Sequence, residues 1–188
     1  MILEAIVTTQ NQQGQAHIAP MGIHDLGDEL LILPFRPSTT LANLSSTGNA
    51  VINYCDDVRI FAGCLTGRRN WPLQPAEKIT GQFLSQALSH VEVELLRMED
   101  DQLRPRLYCK AVHTVNHSPF RGFNRAQFSV LEAAILVSRL SMLGQDKIDA
   151  EIDYLRIGLE KTAGDREREA WGWLMQTIDQ FRQQEKAK

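Results

Sequence analysis

The sequence lacks the residues that would place it in several large classes of protein. Its three cysteines, Cys55, Cys64 and Cys109, are an odd number and form no CxxC pair. This argues against a disulfide framework and against a zinc site of the usual spacing. Positive charge is not in excess either, because 20 basic residues stand against 23 acidic ones and the formal net charge is −3. No overall positive field would hold the chain on nucleic acid or on an anionic membrane.

Long apolar segments are also missing. The first ten residues have no basic n-region or long apolar h-region, and the apolar run at residues 130–137 is short and contains Glu132. We therefore expect a cytoplasmic protein without a membrane span. With 188 residues, 43% of them hydrophobic and 23% charged, the chain has the composition of one globular domain or of a domain with an appendage.

Familiar catalytic motifs are absent as well. The chain has no GxSxG, no GxGxxG after a strand, no GxxxxGK and no HExxH. The histidines are scattered, at His17, His24, His90, His113 and His117. We therefore expect no metal site, and the sequence assigns no catalytic residue.

Two patterns of hydrophobic spacing divide the chain. Up to about residue 115 the pattern is typical of short strands separated by turns, which indicates a barrel or a sandwich. The predicted strands cover residues 3–9, 15–23, 29–33, 48–54, 90–98 and 106–115. The fold class predicted from this pattern and the helices that follow is α+β, mainly β.

From residue 124 onward the apolar residues recur at helical spacing. The predicted buried stripe of the first helix consists of Phe128, Leu131, Ile135 and Met142, widened by Ala133, Ala134 and Val137. Two further helices carry stripes at Ile148, Ile152, Leu155 and Leu159 and at Trp171, Leu174, Met175, Ile178 and Phe181. Gly164 is predicted to end the second helix and Asp165 to cap the third. We predict a β domain at residues 1–122 and a helical extension at residues 123–188.

The stretch PFRPSTTLANL at residues 34–44 allows two interpretations. Ser38 is a good N-cap for a short helix, and clusters of Ser and Thr before helices are common. However, residues 30–55 contain no acidic side chain, and Arg36 is their only charged residue. Free helix amides, hydroxyls and a guanidinium without a carboxylate are what a bound phosphate needs. Both interpretations, a cap and a phosphate cradle, remain open on the sequence.

Four groups of residues, taken together and in order, resemble an uncharacterised family of the FMN-binding split-barrel superfamily, which also contains flavin reductase-like and pyridoxamine phosphate oxidase-like barrels. The groups are Ala19-Pro20-Met21-Gly22-Ile23; Pro34-Phe35 with Ser38, Thr40, Asn43 and Leu44; Val51-Ile52-Asn53 with Asp56-Asp57; and Phe123-Asn124-Arg125-Ala126 with Ser138-Arg139-Leu140. The resemblance implies an antiparallel split β-barrel that dimerises, followed by a C-terminal helical extension, and it implies FMN as the cofactor.

The resemblance also implies a set of cofactor-binding residues. Ser38, Thr39 and Thr40 would hold the FMN phosphate, with Arg36 as the charge partner and Asn43 hydrogen-bonding nearby. The strand from His17 through Met21 and Gly22 to Ile23 would lie against the flavin ring.

Several of these residues have a simpler alternative role. Pro20 could produce a bulge in the strand beside the ring, or it could be a harmless proline on an edge strand. Asn53 could bond the flavin or satisfy local backbone, and Arg125 could reach the phosphate or form an ordinary salt bridge. Asp56 and Asp57 could act as an acid–base pair, although capping of a helix that begins near Val58 is the favoured interpretation.

The function expected from this resemblance is that of a homodimeric FMN-binding protein with its flavin sites near the subunit interface. It would be a flavin-dependent oxidoreductase acting on a small-molecule redox partner, with no nucleic acid and no membrane involved. The alternatives are a non-catalytic flavin carrier or sensor, and a structural dimer in which the Ser/Thr run is only a cap.

Overall fold

The structure is a computed structural model that describes residues 1–187. The chain forms two compact units. The first consists of Met1–Cys55 and Trp71–Phe120, and the second of Asp56–Asn70 together with the described chain from Arg121 onward. Residues 56–70, which lie inside the predicted domain 1–122, are thus part of the second unit.

The first unit is a closed six-stranded antiparallel barrel with the strand order β1-β2-β3-β8-β7-β4, and the mainly-β prediction for this part of the chain is confirmed. A separate two-stranded hairpin is formed by β5 and β6, and one helix, α1, lies between β3 and β4. The elements are β1 Ile2–Gln10, β2 Ala16–Asp25, β3 Leu30–Ile32, α1 Thr39–Thr47, β4 Asn49–Tyr54, β5 Leu73–Pro75, β6 Gln82–Leu84, β7 Ser89–Glu99 and β8 Arg106–Asn116.

The core of this unit forms where alternate strand residues point to the same side of the sheet. Val7, Ile52 and Val93 are fully buried there, together with residues of the other strands. Leu41 and Leu44 of α1 belong to the same apolar cluster. Burial of these two leucines holds α1 against the strands and so fixes the position of its N-terminus.

Of the two alternatives open for Pro20, a bulge and a harmless proline at a strand edge, the bulge is not found. The ladder between β1 and β2 runs without a register shift from Ile2 opposite His24 to Gln10 opposite Ala16, with Pro20 opposite Ile6. β3 pairs only with Ile23–Asp25 of β2, so in the described chain residues 16–22 pair with β1 alone. Pro20 thus lies where one edge of the strand has no neighbouring strand, and its missing N–H is tolerated there.

The second unit is helical. Its elements are α2 Val58–Leu65, α3 Arg125–Val137, a 3-10 turn at Leu140–Met142, α4 Gln145–Thr162 and α5 Asp165–Lys186. The apolar stripes predicted for the last two helices are largely correct, because Ile148, Ile152, Leu155, Leu159, Trp171, Leu174 and Ile178 are buried in one cluster. Within residues 1–187 no helix is both long and apolar enough to cross a membrane.

Two predictions for this unit are wrong. Phe128 and Met142 are 53% and 79% exposed, and α3 instead buries small residues such as Ala126, Val130 and Ala133. The small residues face the core because α3 packs closely against α4, where large side chains would not fit. Asp165 is the first residue of α5 and not its cap; the N-cap is Gly164, whose N–H donates to the Glu167 carboxylate at 2.9 Å.

Candidate functional site

The N-terminus of α1 has the cap that the sequence predicts. Ser38 is in an extended conformation, and its Oγ accepts the N–H of Leu41 at 3.2 Å. The first turn of α1 contains no acidic residue. The positive end of this helix is therefore not neutralised by a carboxylate of its own first turn, and the cap leaves other amides of that turn for a further acceptor.

Thr40 provides the more informative feature of this helix end. Its side chain is fully buried, and within residues 1–187 its Oγ1 has no hydrogen-bond partner. Leaving a buried hydroxyl unpaired costs about 1–3 kcal/mol. Thr39, the preceding residue, is exposed. One of the three consecutive hydroxyls is thus held at the start of the helix with its hydrogen-bonding capacity unused.

Asn43, one turn further along α1, connects the helix to β1. Its side-chain amide donates to Thr9 Oγ1 at 3.1 Å, and both residues are buried. Thr9 lies opposite His17 in the ladder between β1 and β2. The structure therefore brings Asn43 and His17, 26 positions apart in the sequence (43 − 17), to the same region through Thr9. Thr9 is not part of any recognisable sequence motif, so its position between Asn43 and His17 could not be predicted from the sequence.

Arg36 has an acidic partner that the sequence did not reveal. Its Nη2 lies 2.6 Å from Oδ1 of Asp100, in the turn between β7 and β8. Its backbone N–H donates to the carbonyl of Leu103 in the same turn at 2.9 Å. The absence of acidic residues within 30–55 therefore does not leave Arg36 uncompensated. The Asp100 carboxylate contacts the Arg36 guanidinium. Among the described residues, the first turn of α1 has no acidic residue and the Thr40 hydroxyl has no hydrogen-bond partner.

The β2 residues predicted to face a flavin ring differ in accessibility. Ile23 is fully buried in the barrel core, so its side chain is not available to a ligand. Met21 is partly buried and packs against the same core. At Gly22 a Cβ would come within 3.0 Å of Ile2 Cγ2, so the space beside this glycine is already used by a neighbouring strand. What β2 offers a ligand is the backbone edge of residues 18–22, which has no second strand beside it in the described chain.

Asn53 is fully buried, and its side chain is engaged within the barrel unit. Nδ2 donates to the Ile6 carbonyl and to Thr8 Oγ1, both at 2.9 Å, while Oδ1 accepts the N–H of Leu84 at 2.8 Å. These bonds connect β4 to β1 and to β6. Of the two roles open on the sequence, the structure supplies the local one.

The remaining predicted residues lie in the second unit. Asp57 is the N-cap of α2, accepting the N–H of Arg59 at 3.1 Å, and it also pairs with the Arg59 guanidinium at 2.7 Å. The capping interpretation is therefore correct. Arg125 is the exposed first residue of α3. Nothing in the described part of the chain forms a group of three or more His, Cys, Asp or Glu side chains able to hold a metal ion.

The fold is that of an antiparallel split-barrel protein with an additional helical unit, and its candidate site is the N-terminus of α1. Two family profiles, both described as "Protein of unknown function (DUF447)", match residues 3–118 with the N-terminal domain and residues 124–176 with the C-terminal part. The chain therefore belongs to the DUF447 family. No curated protein matches its sequence.

Solved structures share this fold at low sequence identity. The crystal structure of the FMN-bound protein MM1853 from Methanosarcina mazei, a member of the same family, matches with a TM-score of 0.80 and 19% identity over 94% of both chains. The 2-nitrobenzoate 2-nitroreductase of Pseudomonas fluorescens matches with a TM-score of 0.54 and 20% identity, over 61% of this chain and 64% of that one. Nitrilotriacetate monooxygenase component B of Bacillus cereus matches with a TM-score of 0.51 and 18% identity, over 64% and 71%.

Proposed function

We propose that this protein binds FMN, with the flavin phosphate at the N-terminus of α1. The observation that carries the proposal is the buried Oγ1 of Thr40, which lacks a partner among the described residues at a helix start without acidic residues. A phosphate oxygen accepting from Thr40 would remove the cost of the unpaired hydroxyl, and the helix amides favour an anion at this place.

The comparisons support this choice of ligand. MM1853, whose structure matches over nearly the whole length of both chains, is described as FMN-bound. A carboxylate or an inorganic anion could also occupy a helix N-terminus, but the shared barrel and the family membership favour a flavin nucleotide.

In this proposal the residues of the chain have distinct roles. Ser38 keeps capping α1 and Thr40 donates to the phosphate, while Thr39 and Asn43 offer further polar groups. Arg36 contributes little, because its charge is already balanced by Asp100. The edge of β2 at residues 18–22, which has no second strand beside it among the described residues, offers backbone groups to the polar edge of the ring. Ile23, Asn53 and Arg125 have no assigned contact with the ligand.

The proposed activity is that of an FMN-dependent oxidoreductase acting on a small-molecule redox partner. FMN, when bound, supplies the hydride-accepting and electron-passing chemistry. The barrel would position it and exclude water from part of it. We further propose a homodimer with its flavin sites near the subunit interface. The cytoplasmic location remains a prediction from the sequence.

The binding proposal is tested by titrating flavin-free protein with FMN and with riboflavin, followed by flavin fluorescence. FMN is expected to bind at least about tenfold more tightly, because only FMN has the phosphate. Equal affinities would remove the phosphate from the α1 site, and no binding of either ligand would refute the flavin proposal as a whole.

Catalysis is tested separately by mixing the FMN-loaded protein with NADH or NADPH in the absence of oxygen. Loss of the visible flavin absorbance within seconds to minutes supports an oxidoreductase that accepts hydride from a nicotinamide. If the flavin stays oxidised with both donors and with a range of other reductants, the protein is a flavin carrier or sensor.

A further inference from the structure

Two histidines of the barrel unit are joined directly by a hydrogen bond. Nδ1 of His90, on β7, lies 2.8 Å from Nε2 of His117, which follows β8. The two rings are inclined by 20° and their centroids are 5.0 Å apart, as expected for rings that meet edge to edge. His90 is 1% exposed, whereas His117 is at the surface. The pair therefore connects the interior of the barrel unit to solvent.

Phe83 of β6 keeps the two imidazoles aligned. Its ring is stacked on His90 at 4.2 Å with an interplanar angle of 14°, and on His117 at 5.1 Å with an angle of 7°. One aromatic face thus covers both imidazoles. Such stacking restricts the rotation of each ring about its side-chain bonds, so the hydrogen bond between them is held in a fixed geometry.

Glu92 anchors the inner end of this arrangement. Its buried carboxylate accepts the backbone N–H groups of Glu77 and Lys78, each at 2.7 Å, and that of Ile79 at 3.0 Å. Burial by itself raises the pKa of Glu92, but these three amides outweigh it and hold the pKa below its ordinary value. Glu92 is therefore ionised at neutral pH, and its Oε1 lies 3.4 Å from Nε2 of His90.

These contacts assign the tautomers of both rings. An ionised Glu92 can only accept, so His90 has its proton on Nε2 and presents a bare Nδ1 to its neighbour. His117 must then donate from Nε2, which leaves Nδ1 as its proton-accepting nitrogen. Burial lowers the pKa of His90, and this effect outweighs the raising effect of the Glu92 carboxylate. The His90 ring is therefore neutral in the state in which Nδ1 of His117 can accept a proton.

We propose that Glu92, His90 and His117 form an acid–base site in which the surface histidine, His117, exchanges protons with a small molecule that carries a weakly acidic O–H or N–H group. The proton leaves the donor atom and joins Nδ1 of His117, and the donor atom keeps the electron pair. The imidazolium charge is shared with His90 across the 2.8 Å hydrogen bond and is stabilised by the Glu92 carboxylate. Release of the same proton to product or solvent restores the starting state.

Other charged groups around the pair are few in the described chain. His113 of β8 has its ring centroid 6.4 Å from that of His90, and its Nε2 lies 3.3 Å from the Glu77 carboxylate. Glu77 and Lys78 belong to the turn between β5 and β6. The buried carboxylate, the inner ring and the exposed outer ring form one continuous hydrogen-bonded path, and proton exchange is the chemistry that such a path serves. The inference does not depend on flavin binding.

The first test is long-range ¹H–¹⁵N NMR of the imidazole nitrogens in the full-length protein as purified. At pH 8 we expect the Nε2–H tautomer for both His90 and His117, and on acidification we expect both rings to respond to a single proton uptake with a common midpoint. A Nδ1–H tautomer at His117, or independent responses of the two rings, would refute the site.

Variants distinguish a functional relay from a merely structural contact. Glu92→Gln is expected to lower the common midpoint, since it removes a nearby opposite charge. Glu94→Gln, an exposed glutamate on the same strand, should leave the midpoint unchanged. Glu92→Gln also weakens the hydrogen bonds from the carboxylate to the turn at residues 77–79, so a second variant is needed. His90→Phe leaves Glu92 in place and should convert His117 to a mixture of tautomers.

Chemical reactivity gives an independent readout. Diethyl pyrocarbonate acylates unprotonated imidazole nitrogens, and mass spectrometry identifies the modified residue. We expect His117 to react several times faster than His113 at pH 8, with a rate that falls on acidification at the midpoint seen by NMR. Two outcomes would contradict the proposal. One is equal modification rates at His117 and His113. The other is a rate at His117 that, from pH 8 down through the NMR midpoint, is the same in the wild type, in Glu92→Gln and in His90→Phe.

Discussion

Arg36 and Asp100 form an ion pair 2.6 Å long between the segment that leads into α1 and the turn between β7 and β8. Their side chains are 44% and 79% exposed, so the pair is well solvated. Exposed pairs of this kind contribute about 0.2–1 kcal/mol. A phosphate at α1 would have to compete with Asp100 for the guanidinium, and the electrostatic gain from Arg36 would be correspondingly small.

We therefore expect Arg36→Gln to weaken FMN binding by less than about fivefold, which corresponds to about 1 kcal/mol. The measurement is a fluorescence titration at low and at high salt. Asp100→Asn is the matched variant: if it tightens FMN binding while leaving riboflavin unchanged, Arg36 is released to the phosphate. A loss of more than about fiftyfold in Arg36→Gln would show that the ion pair opens in the flavin complex and that Arg36 is a main phosphate ligand.

Thr40→Val should change stability and affinity in opposite directions. Valine has nearly the shape of threonine but no hydroxyl, so the flavin-free protein loses an unpaired buried group and is expected to be more stable by about 1 kcal/mol. FMN binding is expected to weaken about tenfold or more, with riboflavin unaffected, because a donor to the phosphate is lost. Urea unfolding and flavin titration measure the two effects.

Thr47→Val in the same helix is the control for this substitution. Thr47 Oγ1 already donates to the carbonyl of Asn43 at 2.9 Å, so its removal should lower stability and leave the FMN affinity unchanged. If Thr40→Val destabilises the flavin-free protein as Thr47→Val does, its hydroxyl is bonded after all and the main support for the phosphate site is gone.

The features predicted correctly from the sequence depend on near neighbours along the chain. Ser38 caps α1 and Asp57 caps α2 because a side-chain oxygen reaches an amide two or three residues ahead, and such a pattern is visible in the sequence. The alternation along the strands predicted a β unit, either a barrel or a sandwich, for the same reason, and the family resemblance implied the barrel. In α3, by contrast, Phe128 looked like a core residue, but the tight approach of α4 selects small side chains for the buried face.

What the sequence did not reveal depends on residues that are far apart. Asp100 lies 64 positions from Arg36, so the missing negative charge near Arg36 could not be located in advance. The strands of the β5–β6 hairpin have three residues each, too short for a period to be recognised. That hairpin brings Leu84 to Asn53 and Phe83 to His90, and both contacts were therefore invisible at the level of sequence.

Asn53 gives a test of a local role against a ligand-binding role. Asn53→Ala leaves the N–H of Leu84 and the hydroxyl of Thr8 without their buried partner, and we expect a loss of about 2–3 kcal/mol in the free energy of unfolding. The ratio of FMN to riboflavin affinity should not change. Asn49→Ala on the same strand is the control and should cost less. A selective loss of flavin binding in Asn53→Ala, with stability unchanged, would restore the ligand role.

Gly158 of α4 is required by the close packing of α3. A Cβ at this position would lie 2.7 Å from Ser129 Oγ and 3.3 Å from the carbonyl oxygen of Arg125. Ser129 cannot easily move, because it is buried and its Oγ lies within hydrogen-bond distance of two carbonyl oxygens, at 2.8 Å from that of Leu155 and 3.1 Å from that of Arg125. Glycine is thus retained in the middle of a helix where alanine would otherwise be preferred.

We expect Gly158→Ala to destabilise the helical unit by about 1–2 kcal/mol, because overpacking costs about 1–3 kcal/mol and the gain in helix propensity returns at most about 1 kcal/mol. Gly172→Ala in α5 is the matched control: a Cβ there meets nothing within 4 Å, so only the propensity gain applies and the variant should be more stable by up to about 1 kcal/mol. Urea unfolding followed by tryptophan fluorescence reports on both, since Trp171 is buried in this unit. Equal stabilisation by the two substitutions would mean that α3 and α4 are not packed as closely as the Ser129 contact requires.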